Sequence, residues 1–312
     1  MKRIYLSVLL ILCLLSAASS AEKQKVIFDC DLGDDIDDAF ALSLLLASPE
    51  LEVLGLVMDY GNTPKRAQIA CRMLYETGLE HIPVIVGRKT VDNYSPQFIW
   101  GEGFDKIKPV NTNAADFIIQ NLKKYPNEVI LFTVGPVPNM QDILKKDPDA
   151  LKLAKHVYSM FGSFYMGYGT GPIPEAEWNV RADLDAAKAF VASGARITYA
   201  GLDITTFVKW DAENRLKLLM RQSPLTSAIC SLYTLWGYET PTLFDCVAVG
   251  MLLWPDLFTT RPACVKVIGD GLTVIDESGK FNCEIGISIN KEEFLKRLLD
   301  RYVKQNLGRK VE

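Results

Sequence analysis

The sequence predicts an α/β protein, a single domain with a mostly parallel, Rossmann-like open sheet flanked by helices. Short apolar segments with strand character alternate along the chain with longer segments whose apolar residues recur at helical spacing. Such alternation is typical of a parallel sheet with helices on both faces. The 312 residues are 49% hydrophobic, enough for a sizeable core, and no linker, repeat or low-complexity segment divides them.

The first 21 residues have the features of a signal peptide. Basic Lys2 and Arg3 precede an apolar stretch at 6–15, and small residues at 19–21 form a cleavage site. The apolar stretch is too short to be a membrane-spanning helix. We therefore expect an exported domain at residues 22–312, periplasmic or secreted, that makes no membrane contact after cleavage.

Composition argues against several classes of function. A formal net charge of −4 gives no attraction to nucleic acid. The two histidines, His81 and His156, have no other recognisable ligand near them in the sequence, which disfavours zinc sites and Ser/His/Asp catalysis. The cysteines beyond the signal peptide form no C-x-x-C pair, and we expect most to be buried thiols.

In the first half of the chain, each predicted helix ends at a residue that stops helices. Pro49 follows the first helix, and Gly78 ends the second. Residues 90–109 are predicted to be irregular. We predict strands at 26–28, 52–58, 82–87 and 129–134, and helices at 39–47, 64–78, 114–125 and from the turn at 135–139 to about 146.

The second half opens with a predicted strand and a Gly/Tyr-rich loop at 162–174, which we interpret as a lid or substrate rim. A helix at 182–193 ends at Gly194, and a mainly helical segment at 214–235 is interrupted at Pro224. We predict strands at 153–161, 197–200, 265–268, 272–276 and 283–289, and further helices at 245–253 and 291–306.

The turn between the first strand and the first helix is densely acidic. It contains six aspartates: Asp29, Asp31, Asp34, Asp35, Asp37 and Asp38. Carboxylates this close repel one another unless some are protonated or share a cation, and oxygen ligands suit Ca²⁺ or Mg²⁺ better than zinc. An exposed acidic turn at a helix N-terminus is the simpler structural explanation. The position after a strand favours chemistry, because α/β folds place their sites at the carboxyl ends of strands.

Four further places put polar groups at predicted strand or helix ends: Asn62, the turn after Val134, Asp245, and Glu177 with Asn179. Each has a structural explanation of its own. Asn62 is explained as a turn residue, Asp245 as a helix N-cap, and the Glu177 pair as solvated loop residues. Their joint occurrence in this order is the informative observation.

In these places the sequence resembles the inosine-uridine nucleoside N-ribohydrolases, the nucleoside hydrolase family. The opening motif of that family is D-x-D-P-G-x-D-D-A after a strand, and residues 29–33 with 37–39 match both of its ends. Asn62 is similar to the family's G-N, and 133–139 to its P-T-G-P-L-T-N turn. Residues 176–187 are similar to A-E-F-N-x-x-x-D-P-E-A-A, and 244–248 stand where the family has H-D-x-x-A. The resemblance runs from Val26 to about Leu299.

The resemblance implies a fold, a reaction and roles for single residues. It implies Ca²⁺-dependent hydrolysis of the N-glycosidic bond of a ribonucleoside or related riboside, releasing ribose and base, by a homodimer or homotetramer. Asp31 would be the general base, and the ribose hydroxyls would be held by Asp37, Asn62, Glu177 and Asn179. The metal ligands implied are the carboxylates of Asp31, Asp38 and Asp245 and the backbone carbonyl of Val134.

The sequence also departs from the family pattern. Two additional residues, Asp34 and Asp35, precede the Asp-Asp pair, so that either Asp35 or Asp37 can take the ribose role. Phe244 and Trp100 stand where the family has histidines, and Gly171 where it has a ribose-binding asparagine. These replacements imply a rebuilt leaving-group half of the site. Candidates for stacking on a base or other aglycone are Tyr165, Tyr168, Tyr233, Trp236 and Tyr238.

Two other functions compete with glycoside hydrolysis. An exported nucleoside- or sugar-binding protein, or a pseudoenzyme, would keep the metal without turnover, and the missing histidines favour it. A haloacid-dehalogenase-like phosphatase also has D-x-D after a strand, and Asp270 with its flanking glycines superficially resembles its late acidic motif. However, Asp34 and Asp35 stand where it needs a threonine, and Asp270 lies between two predicted strands instead of opening a helix. An EF-hand is excluded, because no glycine lies at the sixth loop position from Asp29.

Overall fold

A central eight-stranded sheet organises the protein, whose computed structural model describes residues 22–169 and 171–309. The predicted signal peptide, residues 1–21, lies outside the described residues. In chain order, the strands of the sheet are β1 (Gln24–Cys30), β2 (Leu51–Met58), β3 (Val84–Val86), β4 (Ile130–Thr133), β5 (His156–Met160), β6 (Ile197–Ala200), β7 (Phe258–Ala263) and β10 (Cys283–Ile289). A separate antiparallel hairpin consists of β8 (Val265–Ile268) and β9 (Leu272–Ile275).

The strand order across the sheet is β3-β2-β1-β4-β5-β6-β10-β7. Neighbouring strands from β3 to β10 pair in parallel, and the edge strand β7 runs antiparallel to β10. The chain winds outward from β1 in one direction through β2 and β3 and in the other through β4 and β5. In open sheets this reversal leaves a crevice at the carboxyl ends of the strands, where ligands bind. The predicted fold class is confirmed.

Twelve helices are found in the described part of the chain. They are α1 (Asp37–Leu46), α2 (Thr63–Thr77), α3 (Phe98–Gly101), α4 (Ala114–Lys124), α5 (Pro138–Lys146), α6 (Trp178–Arg181), α7 (Leu184–Val191), α8 (Leu202–Thr205), α9 (Ala212–Arg221), α10 (Pro224–Trp236), α11 (Phe244–Leu253) and α12 (Lys291–Lys304). The helix α2 shows local causes for its limits. The Asn62 side chain accepts a hydrogen bond from the Lys65 amide at its start, and Gly78 ends it with a φ of +74°.

Both faces of the sheet are buried. Val26 and Phe28 point into one hydrophobic core, and Ile27, between them in the strand, points into the other. Every residue of α1 is buried, and this helix packs against α11, which is also apolar on all sides. In the described residues, no helix is both long and apolar enough to cross a membrane.

Several predicted elements differ from the observed ones. The strand β7 was not predicted, because its sequence contains polar residues and Pro262, which an edge strand tolerates. The four-residue helices α3, α6 and α8 were missed, since they are too short to show a period. The segments at 265–268 and 272–276 are strands as predicted, but they form the hairpin and do not join the main sheet. The six cysteines of the described chain are free, and four of them are buried.

Candidate active site

A cavity of about 360 Å³ opens at the carboxyl ends of β1, β4 and β5, within the size range of small-molecule sites. It therefore lies at the crevice that the strand order predicts. Its lining combines carboxyl groups with aromatic rings: Asp31, Asp34, Asp35, Asp37, Asp38, Val134, Met160, Tyr168, Glu177, Trp178, Asn179, Trp236, Phe244 and Asp245.

The turn after β1 brings five of these aspartates into the cavity. Gly33 adopts a φ of +94°, and a Cβ there would lie 2.7 Å from Ile69 Cδ1, so both the turn and the packing require glycine. The two additional residues of the turn are held by the buried Gln97, whose Nε2 donates to the carbonyls of Asp34 and Asp35 at 3.0 Å each. The longer turn is thus an ordered part of the site.

Three carboxyl groups converge where α1 packs against α11. Asp37 and Asp38 in the first turn of α1 and Asp245 in the first turn of α11 offer oxygens that all lie within 4.8 Å of one another, and all three residues are buried. Burial, followed by the neighbouring carboxylates, raises the pKa of each group well above its usual value. Asp38 Oδ1 is buried without a hydrogen-bond partner. A group of this kind can bind a metal ion, and its all-oxygen donors fit a hard cation.

This group differs from the predicted ligand set in one member. The sequence predicted Asp31 beside Asp38 and Asp245, whereas the three converging carboxyl groups include Asp37 instead. Asp31 lines the same cavity, and so does Val134, whose carbonyl accepts a hydrogen bond from Asn179 Nδ2 at 3.0 Å. Asp35 lies at the partly exposed part of the turn, where its Oδ1 accepts from the Ile36 amide at 2.5 Å.

Asp31 has a buried cation behind it. The Arg66 side chain is fully buried, with its Nη2 3.9 Å from Asp31 Oδ2 and 3.6 Å from Asp34 Oδ2. Burial raises the pKa of Asp31 to about 7, although the guanidinium opposes that rise. Arg66 also donates to the carbonyls of Tyr60 at 2.9 Å, of Leu32 at 3.1 Å and of Asp31. It therefore fixes the backbone that carries Asp31.

Sequence reasoning missed Arg66, although a signal was present. On α2 its position repeats at helical spacing with Ile69, Ala70 and Met73, all of which are buried. A charged residue on the apolar face of a predicted helix indicates a buried partner of opposite charge. The acidic turn is the partner that the structure supplies.

Two further carboxyl groups, those of Asp29 and Asp59, are buried close to Asp31. Asp29 is the second-last residue of β1 and Asp59 follows β2, and both are at most 1% exposed. Asn139 Nδ2 donates to Asp29 Oδ2 at 2.8 Å. Neither side-chain oxygen of Asp59 has a hydrogen-bond partner among the described residues. Burial, followed by the Asp29 charge, raises the pKa of Asp59 well above its usual value, consistent with one proton shared by the pair. A Cβ at Gly135 would lie 2.6 Å from both Asp31 Oδ1 and Asp59 Oδ1, which leaves no room for a side chain there.

Glu177 and Asn179 line the same cavity. Glu177 caps α6 and accepts hydrogen bonds from the amides of Asn179, Gly162 and Val180 at 2.8, 3.1 and 3.3 Å. Burial nevertheless raises its pKa to about 7. Asn179 Nδ2 donates to the carbonyls that follow β4 and end β5, those of Val134 and Met160, at 3.0 Å each. Both side chains are thus fixed relative to the strand ends.

Aromatic residues form the rest of the cavity wall. The rings of Tyr168 and Phe244 meet edge to face with centroids 6.1 Å apart, and Trp178 and Trp236 complete this wall. The Tyr168 hydroxyl accepts from the Trp178 amide at 2.9 Å and donates to Glu177 Oε1 at 3.5 Å. The loop that contains Tyr168 therefore contributes to the site, as the sequence predicted for a rim.

Two predicted substrate-binding residues are not brought into the cavity. The Asn62 side chain caps α2 and donates to Asp92 Oδ1 at 2.6 Å, in a separate surface pocket. Trp100 is 8% exposed on α3, packed in the core with the Arg72 guanidinium 4.5 Å above its ring. Asp270, the residue that a phosphatase would need, lies in the turn of the β8–β9 hairpin and outside the cavity lining.

Comparisons with known proteins agree on one family. The sequence model described as inosine-uridine preferring nucleoside hydrolase matches residues 26–296. The pyrimidine-specific ribonucleoside hydrolase RihA of Citrobacter koseri is 30% identical over 307 residues, covering 88% of this chain and 97% of that protein. Uridine nucleosidase 1 of Arabidopsis thaliana is 29% identical over 276 residues, 80% of each chain.

Solved structures give the same result for the fold. The plant nucleoside hydrolase PpNRh1 superposes with a TM-score of 0.80 at 25% identity, over 90% of this chain and 99% of that one. A purine-preferring ribonucleoside hydrolase from Gardnerella vaginalis superposes with a TM-score of 0.78 at 24% identity, over 90% of this chain and 98% of that one.

Proposed function

The chain belongs to the inosine-uridine preferring nucleoside hydrolase family, and from this premise we propose that it hydrolyses the N-glycosidic bond of a ribonucleoside or related riboside in a Ca²⁺-dependent reaction. The products are ribose and the free base. The observation that supports this function most directly is one cavity that combines a three-carboxylate group, the separate carboxyl group of Asp31, and the fixed pair Glu177 and Asn179.

In this proposal Asp31 is the general base. It lines the cavity next to the carboxylate group, and Arg66 fixes its backbone, so it is placed to accept a proton from the attacking water. As the C1′–N bond breaks, positive charge develops on the sugar ring. The buried carboxylates around the cavity stabilise that charge more strongly than water would.

Glu177 and Asn179 hold the ribose hydroxyls, together with Asp37 or Asp35. The metal ligands are drawn from Asp38, Asp245 and Asp37, with Asp31 and the Val134 carbonyl at the same cavity. A bound Ca²⁺ would supply positive charge that lowers the pKa of the attacking water and helps to orient the ribose. Phe244 and the other aromatic residues are assigned to the aglycone, whereas Asn62 and Trp100 lie outside the described lining of the cavity.

Release of ribose tests this function. Purified protein with Ca²⁺ is expected to produce reducing sugar from at least one member of a panel that includes uridine, inosine and cationic ribosides. Asp31→Asn keeps the size of the side chain but removes the base, and we expect a loss of about 10²-fold or more in kcat. Asp105→Asn, at an exposed site outside the cavity, is the matched control.

Two outcomes would contradict the proposal. Tight nucleoside binding without ribose release across the panel would favour the binding-protein alternative, and full activity of Asp31→Asn would exclude Asp31 as the base.

Export to the periplasm or medium and assembly as a homodimer or homotetramer are further parts of the proposal. Cell fractionation and light scattering of the mature protein test them.

A further inference from the structure

The residues that line the cavity are acidic, and the Arg66 guanidinium that pairs with two of them lies behind the lining. Among its described lining residues, seven carry carboxyl groups and none is Lys, Arg or His: Asp31, Asp34, Asp35, Asp37, Asp38, Glu177 and Asp245. A bound divalent cation together with the buried Arg66 guanidinium would balance three negative charges. The cavity would then still attract a cation, because charges in a concave, low-dielectric wall act strongly on a ligand.

The two additional residues of the acidic turn increase this charge where the cavity opens to solvent. Asp34 has 40% of its side chain exposed, and Asp35 is partly buried beside it. Neither belongs to the group of three converging carboxylates. Gln97 holds their backbone in place, so the charge is fixed at the edge of the cavity. An arriving ligand meets these two carboxylates outside the proposed metal site.

The aromatic wall is suited to a cation and poorly suited to protonating a leaving group. Ring faces of Trp and Tyr attract cations, most strongly where water is excluded. Among the described residues of this wall, Tyr168 alone carries an ionisable hydroxyl, which already accepts from the Trp178 amide and donates to Glu177.

We propose, on the basis of the proposed function, that the preferred substrate is an N-riboside whose aglycone carries a positive charge through its glycosidic nitrogen, of the N-ribosylpyridinium type. A neutral nucleobase that leaves with the bonding electron pair becomes an anion unless a group protonates it. A cationic aglycone becomes neutral by the same step. Such a substrate needs no acid from the aromatic wall.

The reaction balances without a further reactant. The C1′–N bond breaks, and its electron pair goes to the ring nitrogen and cancels the positive charge there. The water oxygen forms the new bond to C1′, and one water proton goes to the Asp31 carboxylate and then to solvent. The products are ribose, a neutral pyridine base and one proton.

Three ribosides distinguish the effect of the charge on the aglycone from the effect of a weak glycosidic bond. Nicotinamide riboside has a cationic aglycone, nicotinic acid riboside has the same ring with a balancing carboxylate, and uridine has a neutral base. We expect kcat/KM for nicotinamide riboside to exceed that for nicotinic acid riboside by about 10-fold or more. Raising NaCl from about 0.02 to about 0.5 M should reduce this ratio, because salt screens charges at the open edge of the cavity.

Two variants test the named residues. Asp34→Asn should lower the ratio for the two pyridinium ribosides, whereas Asp105→Asn should leave it unchanged. Phe244→His places an ionisable group in the aromatic wall and should raise kcat/KM for uridine relative to nicotinamide riboside. If Phe244→His is unfolded by circular dichroism, the salt dependence and Asp34→Asn still decide the question.

The failures of the two proposals are distinguishable. Hydrolysis of uridine with an equal or better kcat/KM than nicotinamide riboside, and with no salt dependence of the ratio, would overturn the cationic preference while leaving the riboside hydrolase intact. No ribose from these three substrates or from the rest of the riboside panel, with Ca²⁺ present, would overturn the proposed function itself.

Discussion

Arg66 connects the acidic turn to the rest of the molecule. Its guanidinium donates to three backbone carbonyls and lies within 4 Å of carboxylate oxygens of Asp31 and Asp34, although its side chain has no exposed surface. A buried cation of this kind is stabilising only while its partners remain. Removal of the carboxylates leaves an uncompensated positive charge, and removal of the arginine leaves unpaired carbonyls. The turn and the arginine therefore depend on each other.

Arg66→Met keeps the length of the side chain and removes its charge and hydrogen bonds. We expect the free energy of unfolding to fall by about 3–5 kcal/mol, because the carbonyls and carboxylates around it lose their buried partner. Urea denaturation followed by circular dichroism measures this change. Arg196→Met, at an exposed site, should change stability by only about 0.5 kcal/mol or less. Equal effects of the two substitutions would show that Arg66 has no structural role in the turn.

At the scale of single residues, the sequence predicted types of residue better than directions of side chains. Glu177, Asn179 and Asp245 lie in the cavity as their motifs predicted. Asn62 has the predicted position after β2, but its side chain turns toward α2 and Asp92. A motif fixes the place of a residue in the chain, whereas the direction of a side chain also depends on what packs beside it.

At the scale of elements, the contact between α11 and its neighbours determines where Asp245 lies. A Cβ at Gly250 would lie 2.3 Å from Cε2 of Phe294, a buried residue on α12. Glycine in the middle of a helix is unfavourable by about 1 kcal/mol relative to alanine, so close packing is the reason for it here. The close approach of α12 thus holds the helix that carries Asp245.

Gly250→Ala should therefore be destabilising despite the better helix propensity of alanine. We expect a net loss of about 1–2 kcal/mol, since overpacking of a core opposes the gain in propensity. A shift of α11 would also displace Asp245 from Asp37, so the affinity for Ca²⁺ should fall. Thermal unfolding and calorimetric Ca²⁺ titration measure the two effects. Ser227→Ala, at an exposed position of α10, is the control that should change neither. Unchanged stability of Gly250→Ala would mean that the α11–α12 contact can open without loss.

Elements with a strong pattern of apolar residues were predictable from the sequence, whereas elements at the edge of the sheet were not. The strands that carry the motifs, β1, β2 and β4, were predicted because buried parallel strands are continuously apolar. The strand β7 lacks this signal, since its place depends on pairing with β10, a strand that comes later in the chain. When a polar edge strand forms only by pairing with a distant part of the chain, its own sequence contains no pattern of apolar residues that predicts it.

At the scale of the whole molecule, the buried carboxyl groups couple folding to pH. Burial is the main cause of three raised pKa values. It raises the pKa of Asp29 to about 6 and the pKa values of Asp31 and Glu177 to about 7. In the unfolded chain these groups release their protons near pH 4. Between about pH 4 and 7 the folded protein therefore holds more protons than the unfolded chain, so stability is greatest at low pH within this range and falls as pH rises.

A metal ion should reverse much of this loss. It binds the ionised form of the carboxylates, and an ion present at 100 times its Kd stabilises the folded state by about 2.7 kcal/mol. With a chelator present, we expect the midpoint of thermal unfolding to fall between pH 5 and pH 8 by on the order of 5 °C. With excess Ca²⁺ the fall should be much smaller, and Asp245→Asn should reduce the difference between the two profiles. Identical profiles of unfolding temperature against pH, with chelator and with Ca²⁺, would show that the ion does not bind these carboxylates. An ion that offsets the repulsion between them must stabilise the protein most at high pH, because the carboxylates are ionised there.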